Sequence, residues 1–96
     1  MSLRFEWDGD KAASNVRRHG VSFEEAQTVF YDPLACIFDD EEHSVDEIRE
    51  IIIGHSITNR LLLVSFTEHA PSLIRIIGAR SATRRERKDY EENRCF

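Results

Sequence analysis

Residues 48–79, IREIIIGHSITNRLLLVSFTEHAPSLIRIIGA, decide the fold of this 96-residue chain. Three runs rich in isoleucine, leucine and valine follow one another, at 48–57, 60–68 and 72–79. Turn-forming residues interrupt the runs at 58–59 and at 69–71. Short apolar runs separated by turn residues are typical of consecutive antiparallel strands. The stretch therefore predicts a three-stranded meander.

The two turns set the expected register of the meander. A two-residue turn pairs Ile53 with Val64, and a three-residue turn pairs Arg75 with Ser65. Because side chains alternate between the faces of a sheet, one face collects Ile51, Ile53, Leu62, Val64, Phe66, Ile74 and Ile76. We expect this face to lie under the helices. The other face collects Ile52, Gly54, Leu61, Leu63, Ser65, Thr67, Leu73, Arg75 and Ile77.

The N-terminal segment predicts a strand followed by a helix. Residues 5–7, Phe-Glu-Trp, alternate between apolar and polar and suggest a short edge strand. A helix over about 10–19 follows, capped by Asp8 or Asp10. Gly20 ends it, because glycine tolerates the left-handed conformation past a helix end.

Two capping boxes mark further helices. Ser22 and Glu25 have the spacing that satisfies two free backbone N–H groups, so a second helix begins there. It ends before Pro33, since proline disfavours helical geometry in the preceding residue. Thr83 and Glu86 repeat the box and predict a third helix from about residue 84.

A further candidate strand at 34–38 completes the order β-α-α-β-β-β-β-α. Helices packed on one face of an antiparallel sheet make an α+β two-layer sandwich. We expect a single domain over residues 1–96.

Composition indicates a soluble, cytoplasmic protein. With 41% hydrophobic and 32% charged residues the chain is globular. No apolar run approaches the roughly 20 residues of a membrane span, and the N-terminus lacks a signal-peptide layout. Cys36 and Cys95 are not expected to form a disulfide. The four histidines are not spaced as metal ligands, so we expect no metal and no cofactor.

Charge is unevenly distributed along the chain, whose formal net charge is −5. Residues 39–50 contain seven acidic side chains and one base, whereas residues 60–88 contain seven bases and two acids. Such asymmetry suits an anionic partner at the basic end. The alternative is that both segments are solvated faces.

Arg75 is a candidate phosphate ligand. The predicted register places it opposite Ser65 and diagonal to Thr67, in otherwise apolar surroundings. A guanidinium there fits phosphate oxygens bidentately. Alternatively it reaches solvent or pairs with Glu50.

Arg60 and Arg80 are predicted to lie opposite each other at the end of the sheet. Two facing guanidiniums are unfavourable without an anion between them, which again indicates a phosphate. A bulge at Gly78 would move Arg80 to the other face. The third helix adds four cations near its positive dipole end, and these suggest an RNA or DNA backbone as partner: Arg84, Arg85, Arg87 and Lys88.

Cleavage of RNA without a metal needs a base for the 2′-hydroxyl, cations for the phosphorane charge and an acid for the leaving oxygen. The candidate bases are His19, His55 and Glu68. The helix dipole alone also explains His19, which ends the first helix. His55 is better explained as a core histidine, and Glu68 as the cross-strand partner of Arg49.

Trp7 is a candidate platform for a nucleic-acid base. Aromatic side chains stack on bases without regard to sequence. The alternative is that this lone tryptophan fills the core of a small domain.

Three segments of the chain resemble the BrnT family of type II toxins. They are FEWDGDKAASNVRRHGVSFEEAQTVFYDP at 5–33, HSVDEIREIIIG at 43–54 and IRIIGARSATRRERKDYEE at 74–92. The specific parts are Phe5-Glu6-Trp7-Asp8, the joint from His19 to Glu24, Asp32-Pro33, and Ala79-Arg80 followed by Ala82-Thr83, Glu86 and Tyr90. Family members commonly have a lysine where this chain has Ser81.

The resemblance implies a RelE-like fold and a metal-independent ribonuclease that arrests translation. It also implies a cognate BrnA-like antitoxin, which neutralises the toxin and carries a DNA-binding domain. Operator DNA is then bound only through the antitoxin.

The leading hypothesis is a ribonuclease toxin with RNA across the uncovered face of the sheet. Arg75 and Arg80 stabilise the scissile phosphate, and His19 or Glu68 is the base. The RNA backbone is steered by Arg60, Arg84, Arg85, Arg87 and Lys88. One alternative is a non-catalytic module that binds nucleic acid or antitoxin through the same surface. Another is a structural subunit that self-associates through its acidic and basic ends.

Overall fold

The computed structural model of the protein describes residues 2–43 and 47–92 and shows a five-stranded sheet with three helices. The strands are β1 (Arg4–Glu6), β2 (Cys36–Asp39), β3 (Glu50–His55), β4 (Leu61–Ala70) and β5 (Leu73–Ser81). The helices are α1 (Gly9–His19), α2 (Phe23–Thr28) and α3 (Arg84–Glu91). Single 3-10 turns lie at Val29–Tyr31 and Glu41–His43. The fold is mixed α+β.

The sheet has the strand order β1-β5-β4-β3-β2 and is not wholly antiparallel. Strands β2 to β5 pair antiparallel, whereas β1 lies parallel to β5 at the edge. The expectation of a purely antiparallel sheet is therefore wrong. Parallel pairing needs a long connection, and the chain provides one because all the other strands and two helices separate β1 from β5.

The first hairpin differs from the predicted register by one residue. Val64 lies opposite Ile52, not Ile53. The connection is a five-residue loop at 56–60, in which the Ser56 N–H donates to the Arg60 carbonyl (2.9 Å). A one-residue shift moves every side chain of a strand to the other face. Ile52 and Gly54 thus face α2, while Ile51 and Ile53 face the opposite side.

Up to the bulge at Ile77, the second hairpin keeps its predicted faces but not its predicted pairs. β4 continues to Ala70, and the turn is Pro71-Ser72 with Ser72 at φ 63°. Arg75 lies opposite Thr67 instead of Ser65. A bulge in β5 leaves Ile77 as the extra residue. It carries Arg80 to the same face as Arg75.

Helices lie on both faces of the sheet, so the predicted two-layer sandwich is wrong. The main core packs α2 and the following 3-10 turn against one face. It contains Val21, Phe23, Ala26, Val29, Ile52, Leu62, Val64, Phe66, Ile74, Ile76 and Ala79. On the other face, Tyr90 of α3 packs against Ile53, Leu61 and Leu63. The one-residue shift in β3 creates this second apolar patch, and α3 covers it.

The structure confirms both ends of α1 and the start of α3, whereas α2 ends at Thr28, before the stop predicted at Pro33. Asp8 caps α1, and Gly20 ends it at φ 67°. Thr83 and Glu86 form a complete capping box at α3. At α2 only half of the box forms, because Ser22 accepts from the Glu25 N–H while the Glu25 carboxylate turns elsewhere.

The buried Asn15 side chain joins α1 to the free edge of β5. Its amide nitrogen donates to the Ala79 carbonyl (2.8 Å) and the Val21 carbonyl (2.9 Å), and its amide oxygen accepts from the Ala79 N–H (3.2 Å). β1 pairs only with residues 73–75 of β5. The amide therefore satisfies the edge backbone that β1 leaves unpaired.

Cys36 is disulfide-bonded. The expectation that Cys36 and Cys95 form no disulfide concerns Cys95, which lies outside the described residues.

Within residues 2–43 and 47–92 no helix has the length and apolarity of a membrane span. No group of three or more histidine, cysteine or carboxylate side chains in those ranges is placed to hold a metal ion.

Asn15→Ala tests the edge contact. The change leaves buried backbone groups of Ala79 and Val21 unpaired, and each such group costs about 1–3 kcal/mol. We expect the free energy of unfolding, measured in urea, to fall by at least about 2 kcal/mol. Ser14→Ala on the same helix is the control and changes it by less than about 0.5 kcal/mol. Equal effects of the two changes would contradict this role for Asn15.

The Glu25 carboxylate makes the free energy of unfolding depend on pH in the acid range. Hydrogen bonds from Arg60 chiefly lower its pKa from 4.5 to about 2, and bonds from Ser56 and Thr58 add to this although burial opposes it. A carboxylate whose pKa is lower in the folded state stabilises the fold above its ordinary pKa and loses that contribution as the pH falls. The stability gap between wild type and Glu25→Gln should therefore be largest above about pH 4.5 and shrink toward pH 2. Thermal unfolding across this range measures the gap, and a gap that does not change with pH would contradict the assignment. The control is Glu24→Gln, an exposed neighbour on α2.

Candidate functional site

The face of the sheet opposite α2 is covered by α3 at one end only. The remainder presents polar and basic side chains from three neighbouring strands. We call it the open face, and it consists of Glu6, Ser65, Thr67, His69, Arg75, Ile77 and Arg80.

Arg75 lies in the middle of the open face, between β1 and β4. Its side chain is 39% exposed, and its Nη1 donates to the Glu6 carboxylate at 3.1 Å. Arg75 thus forms an ion pair, as the alternative interpretation predicted, but its partner is Glu6 and not Glu50. A guanidinium has five N–H donors, so one contact to Glu6 fixes the group and leaves donors for a ligand.

Glu6 holds two side chains through one oxygen atom. Its Oε2 contacts Nδ1 of His69 at 2.6 Å as well as Nη1 of Arg75. These two contacts, that of His69 first, lower the pKa of the Glu6 carboxyl. The cluster of Glu6, His69 and Arg75 was not predicted, because 63 residues separate the first two. The alternation of Phe5, Glu6 and Trp7 was the available signal, since it sets Glu6 on the face opposite the core.

Arg80 shares the open face but belongs to its other end. Its Nη1 and Nη2 donate to the two carboxylate oxygens of Glu86 on α3, at 2.8 and 2.9 Å. This bidentate pair raises the pKa of Arg80 and lowers that of Glu86. The residues opposite Arg75 and Arg80 are Thr67 and Leu63. The two arginines are therefore separated by about 13 Å of strand.

Arg60 does not face Arg80, so the predicted pair of guanidiniums is wrong. Arg60 lies in the loop before β4 and forms an ion pair with Glu25 of α2. It also donates to the Gly20 carbonyl at 3.1 Å. Ser56 and Thr58 donate to the same carboxylate, each at 2.6 Å. Arg60 thus holds the 56–60 loop against α2 and lies away from the open face.

A basic cavity of about 250 Å³ adjoins the open face. Lys11, Ser14, Asn15 and Arg18 of α1, Arg49 before β3, and Ile77 of the β5 bulge line it. Lys11, Arg18 and Arg49 are not among the predicted phosphate ligands. The spacing of Lys11, Ser14 and Arg18 on one side of a helix was a usable signal, but only the Asn15 contact shows where that side faces.

The two predicted bases lie apart from Arg75. His19 is the exposed last residue of α1, and its side chain makes no hydrogen bond or ion pair within residues 2–43 and 47–92. Glu68 lies opposite Ile74 of the main core, and its side chain is therefore on the other face from Arg75. The pairing of β3 with β4 ends at Glu50 and Phe66, so Glu68 is not the paired neighbour of Arg49. The Glu68 carboxylate accepts from the Ser72 N–H at 3.4 Å.

His55 anchors α3 and is not a histidine of the helix-covered core. Its Nδ1 lies 3.2 Å from the Tyr90 hydroxyl, which donates to Asp32 Oδ2 at 2.7 Å. The same oxygen accepts from the His55 N–H at 2.8 Å. Gly54 permits this approach, because a Cβ there would lie 3.0 Å from the Asp32 carboxylate. Burial and the Asp32 contact raise the pKa of Tyr90 to about 12.

The remaining predicted RNA ligands divide between surface and core. Trp7 packs edge-on against Phe23 and belongs to the main core. The cations of α3 are all exposed: Arg84, Arg85, Arg87 and Lys88. Arg87 lies 3.8 Å from Glu91 on the same helix.

Comparison with known proteins identifies the family. The sequence model of the BrnT ribonuclease toxins of type II toxin-antitoxin systems matches residues 7–86. A similar solved structure is that of the Brucella abortus ribonuclease toxin BrnT, with a TM-score of 0.67 and 21% identity. The alignment covers 86% of this chain and all of the other. No curated protein sequence matches.

The structural likeness, at this level of identity, shows a shared fold. The sequence match begins directly after β1, spans α1, α2 and strands β2 to β5, and ends in the first turn of α3. On that match the protein belongs to the BrnT family of ribonuclease toxins of type II toxin-antitoxin systems.

Proposed function

We propose that the protein is a metal-independent endoribonuclease that arrests translation, with its RNA lying across the open face. The observation that carries this proposal is the concentration of cations there in a protein of net charge −5. Arg75 and Arg80 project from the face, and Lys11, Arg18 and Arg49 line the adjoining cavity. A channel of one charge sign attracts the opposite charge and positions it.

Arg75 is the ligand of the scissile phosphate in this proposal. It is half-exposed, it is oriented by Glu6, and it retains free N–H donors. Fixed cations at the place where negative charge develops stabilise the transition state without reorganisation. Arg80 lies too far along the strand to share that phosphate readily, so it contacts the neighbouring part of the backbone.

Exposed cations outside the face have a supporting role. The four basic residues of α3 and those of the cavity steer the RNA backbone electrostatically. Arg60 is excluded from this set, since Glu25 and Gly20 occupy it.

The proposed partner is a cognate BrnA-like antitoxin, whose DNA-binding domain recruits the complex to its own operator. The RelE-like assignment of the fold stays a prediction.

One observation favours the alternative of a non-catalytic module. Arg75 and Arg80 already bind carboxylates, Glu6 and Glu86. An acidic segment of the antitoxin could replace those carboxylates on the same face.

Arg75→Ala separates the two functions. Loss of one preorganised charge donor costs about 100- to 1000-fold in rate, so cleavage of a labelled RNA, assayed with EDTA present, should fall by about that factor. Antitoxin affinity, measured by calorimetry, should be little changed. Arg80→Lys is the companion variant because it keeps a charge near Glu86. Loss of antitoxin affinity with unchanged cleavage would favour the module, and a wild-type protein that leaves RNA intact would refute the ribonuclease.

Arg18 and Arg17 form a matched pair on α1. Arg18 lines the basic cavity, whereas its neighbour Arg17 does not. Each phosphate contact contributes about one unit to the slope of log K against log salt concentration. Arg18→Ala should lower that slope for single-stranded RNA binding by about one unit, and Arg17→Ala should leave it unchanged. Fluorescence anisotropy across a salt series measures both slopes, and equal slopes for the two variants would place the RNA elsewhere.

A further inference from the structure

We propose that His69 is the general base of RNA cleavage and that Glu6 is the residue that positions it. The inference rests on the proposed ribonuclease function and names a residue that the sequence analysis did not consider. Its basis is the shared carboxylate oxygen that joins His69 to Arg75 on the open face.

The β4–β5 hairpin aims His69 toward the open face. Glu68 pairs with Ile74 and Ala70 pairs with Leu73, so His69 is the extra residue of a bulge. Bulges redirect one side chain without interrupting the sheet, and they are frequent next to active sites. The turn that follows, with Ser72 at φ 63°, closes the hairpin directly beyond the bulge.

The contact with Glu6 fixes which ring nitrogen can accept a proton. Nδ1 of His69 lies 2.6 Å from the carboxylate oxygen, so Nδ1 carries the hydrogen that is donated to Glu6. In the neutral imidazole with this tautomer, Nε2 is the nitrogen that carries the lone pair. An orienting carboxylate behind Nδ1 is the arrangement by which hydrolases hold a histidine base in the right tautomer.

His69 alone among the four histidines combines an available nitrogen with proximity to Arg75. His19 ends α1 without contact to the Arg75 cluster. His55 uses Nδ1 to contact Tyr90 beneath α3. His43 contacts Asp40 at 2.9 Å within the acidic turn. The side chain of His69 is 60% exposed, so a ribose can reach Nε2.

The charges around His69 define the direction of the RNA. Glu47, Glu50 and Glu68 line a cavity of about 360 Å³ with His69. Glu50 and Glu68 pair with the core residues Phe66 and Ile74 and so belong to the other face, whereas Arg75 and then Arg80 attract phosphate along the open face. The backbone therefore runs from His69 toward Arg80, with the scissile phosphate at Arg75 and its 2′-hydroxyl at His69.

The step balances without a metal. Nε2 of His69 takes the 2′-hydroxyl proton as the 2′-oxygen attacks phosphorus. The bond from phosphorus to the 5′-oxygen breaks, and that oxygen takes a proton from water. The products are a 2′,3′-cyclic phosphate and a 5′-hydroxyl, and the protonated imidazole returns its proton to water.

His69→Ala tests the base directly. A positioned general base contributes about 100- to 10,000-fold, so kcat should fall at least about 100-fold while KM changes little. Added imidazole should restore part of the rate to His69→Ala and none to Arg75→Ala. His43→Gln is the control for loss of an exposed histidine. Wild-type protein that leaves RNA intact would refute the ribonuclease itself, whereas active wild type with an equally active His69→Ala would refute only the base.

A modified substrate distinguishes a base from an acid. Replacing the 5′-oxygen of the scissile bond by sulfur removes the need to protonate the leaving group. His69→Ala should stay slow on this RNA, because the 2′-hydroxyl still needs a base. Full rescue by the sulfur substitution would show that His69 is the acid and overturn the proposal.

Glu6→Gln tests the positioning role. The amide still accepts from Nδ1 of His69 but orients the ring less strongly, so we expect kcat to fall about 10-fold with KM and melting temperature nearly unchanged. In His69→Ala the additional Glu6→Gln change should lower kcat by a smaller factor than it does in the wild type, because only the contact of Glu6 with Arg75 is then left to disturb. Independent, multiplying effects of the two changes would contradict the link between them.

Discussion

The hydrogen bonds between the Asn15 side chain and the backbone of Ala79 hold the site together. β5 is the strand that carries both Arg75 and Arg80, and β1 pairs with only its first three residues. The buried Asn15 amide of α1 bonds to the N–H and carbonyl of Ala79 on the free edge of β5. These bonds fix the rotation of α1 about its axis. Because of that rotation, Lys11 and Arg18 line the cavity beside the open face. One edge contact thus connects the stability of the sheet to the placement of its cations.

Arg60, Arg75 and Arg80 each form an ion pair with a carboxylate, and the three pairs have different effects. Glu25 engages Arg60 fully and uses it to fasten a loop. Glu86 binds Arg80 bidentately while it also completes the cap of α3. Glu6 contacts Arg75 through one nitrogen and leaves other donors free. Ion pairs at a surface contribute little stability, so their main effect here is to fix the direction of guanidinium groups.

The elements with local signals were predictable, and those that depend on distant residues were not. Asp8, Gly20 and Thr83 mark helix ends through contacts within a few residues, and the structure confirms them. The register of β3 was wrong because Thr58-Asn59 resembles a tight turn, whereas the hydrogen bond between Ser56 and Arg60 closes a longer loop. That single-residue shift also hid the second apolar patch and the position of α3.

The same limit applies to the candidate site. The prediction that Arg75 lies on the face opposite the main core is correct, since β5 keeps the predicted alternation up to its bulge at Ile77. The contact of Glu6 with His69 depends on the parallel pairing of β1 with β5 and on a bulge in β4. Neither has a signature within a short window of sequence. The family resemblance, in contrast, rested on several separated motifs and is confirmed over residues 7–86.

The central claim is that RNA lies across the open face. A crystal structure with a short RNA whose scissile 2′-hydroxyl is replaced by hydrogen tests it most directly. The account predicts a phosphate within hydrogen-bond distance of the Arg75 guanidinium, the modified ribose beside Nε2 of His69, and the strand continuing toward Arg80. RNA bound over α2 on the opposite face, with Arg75 still bonded only to Glu6, would contradict it.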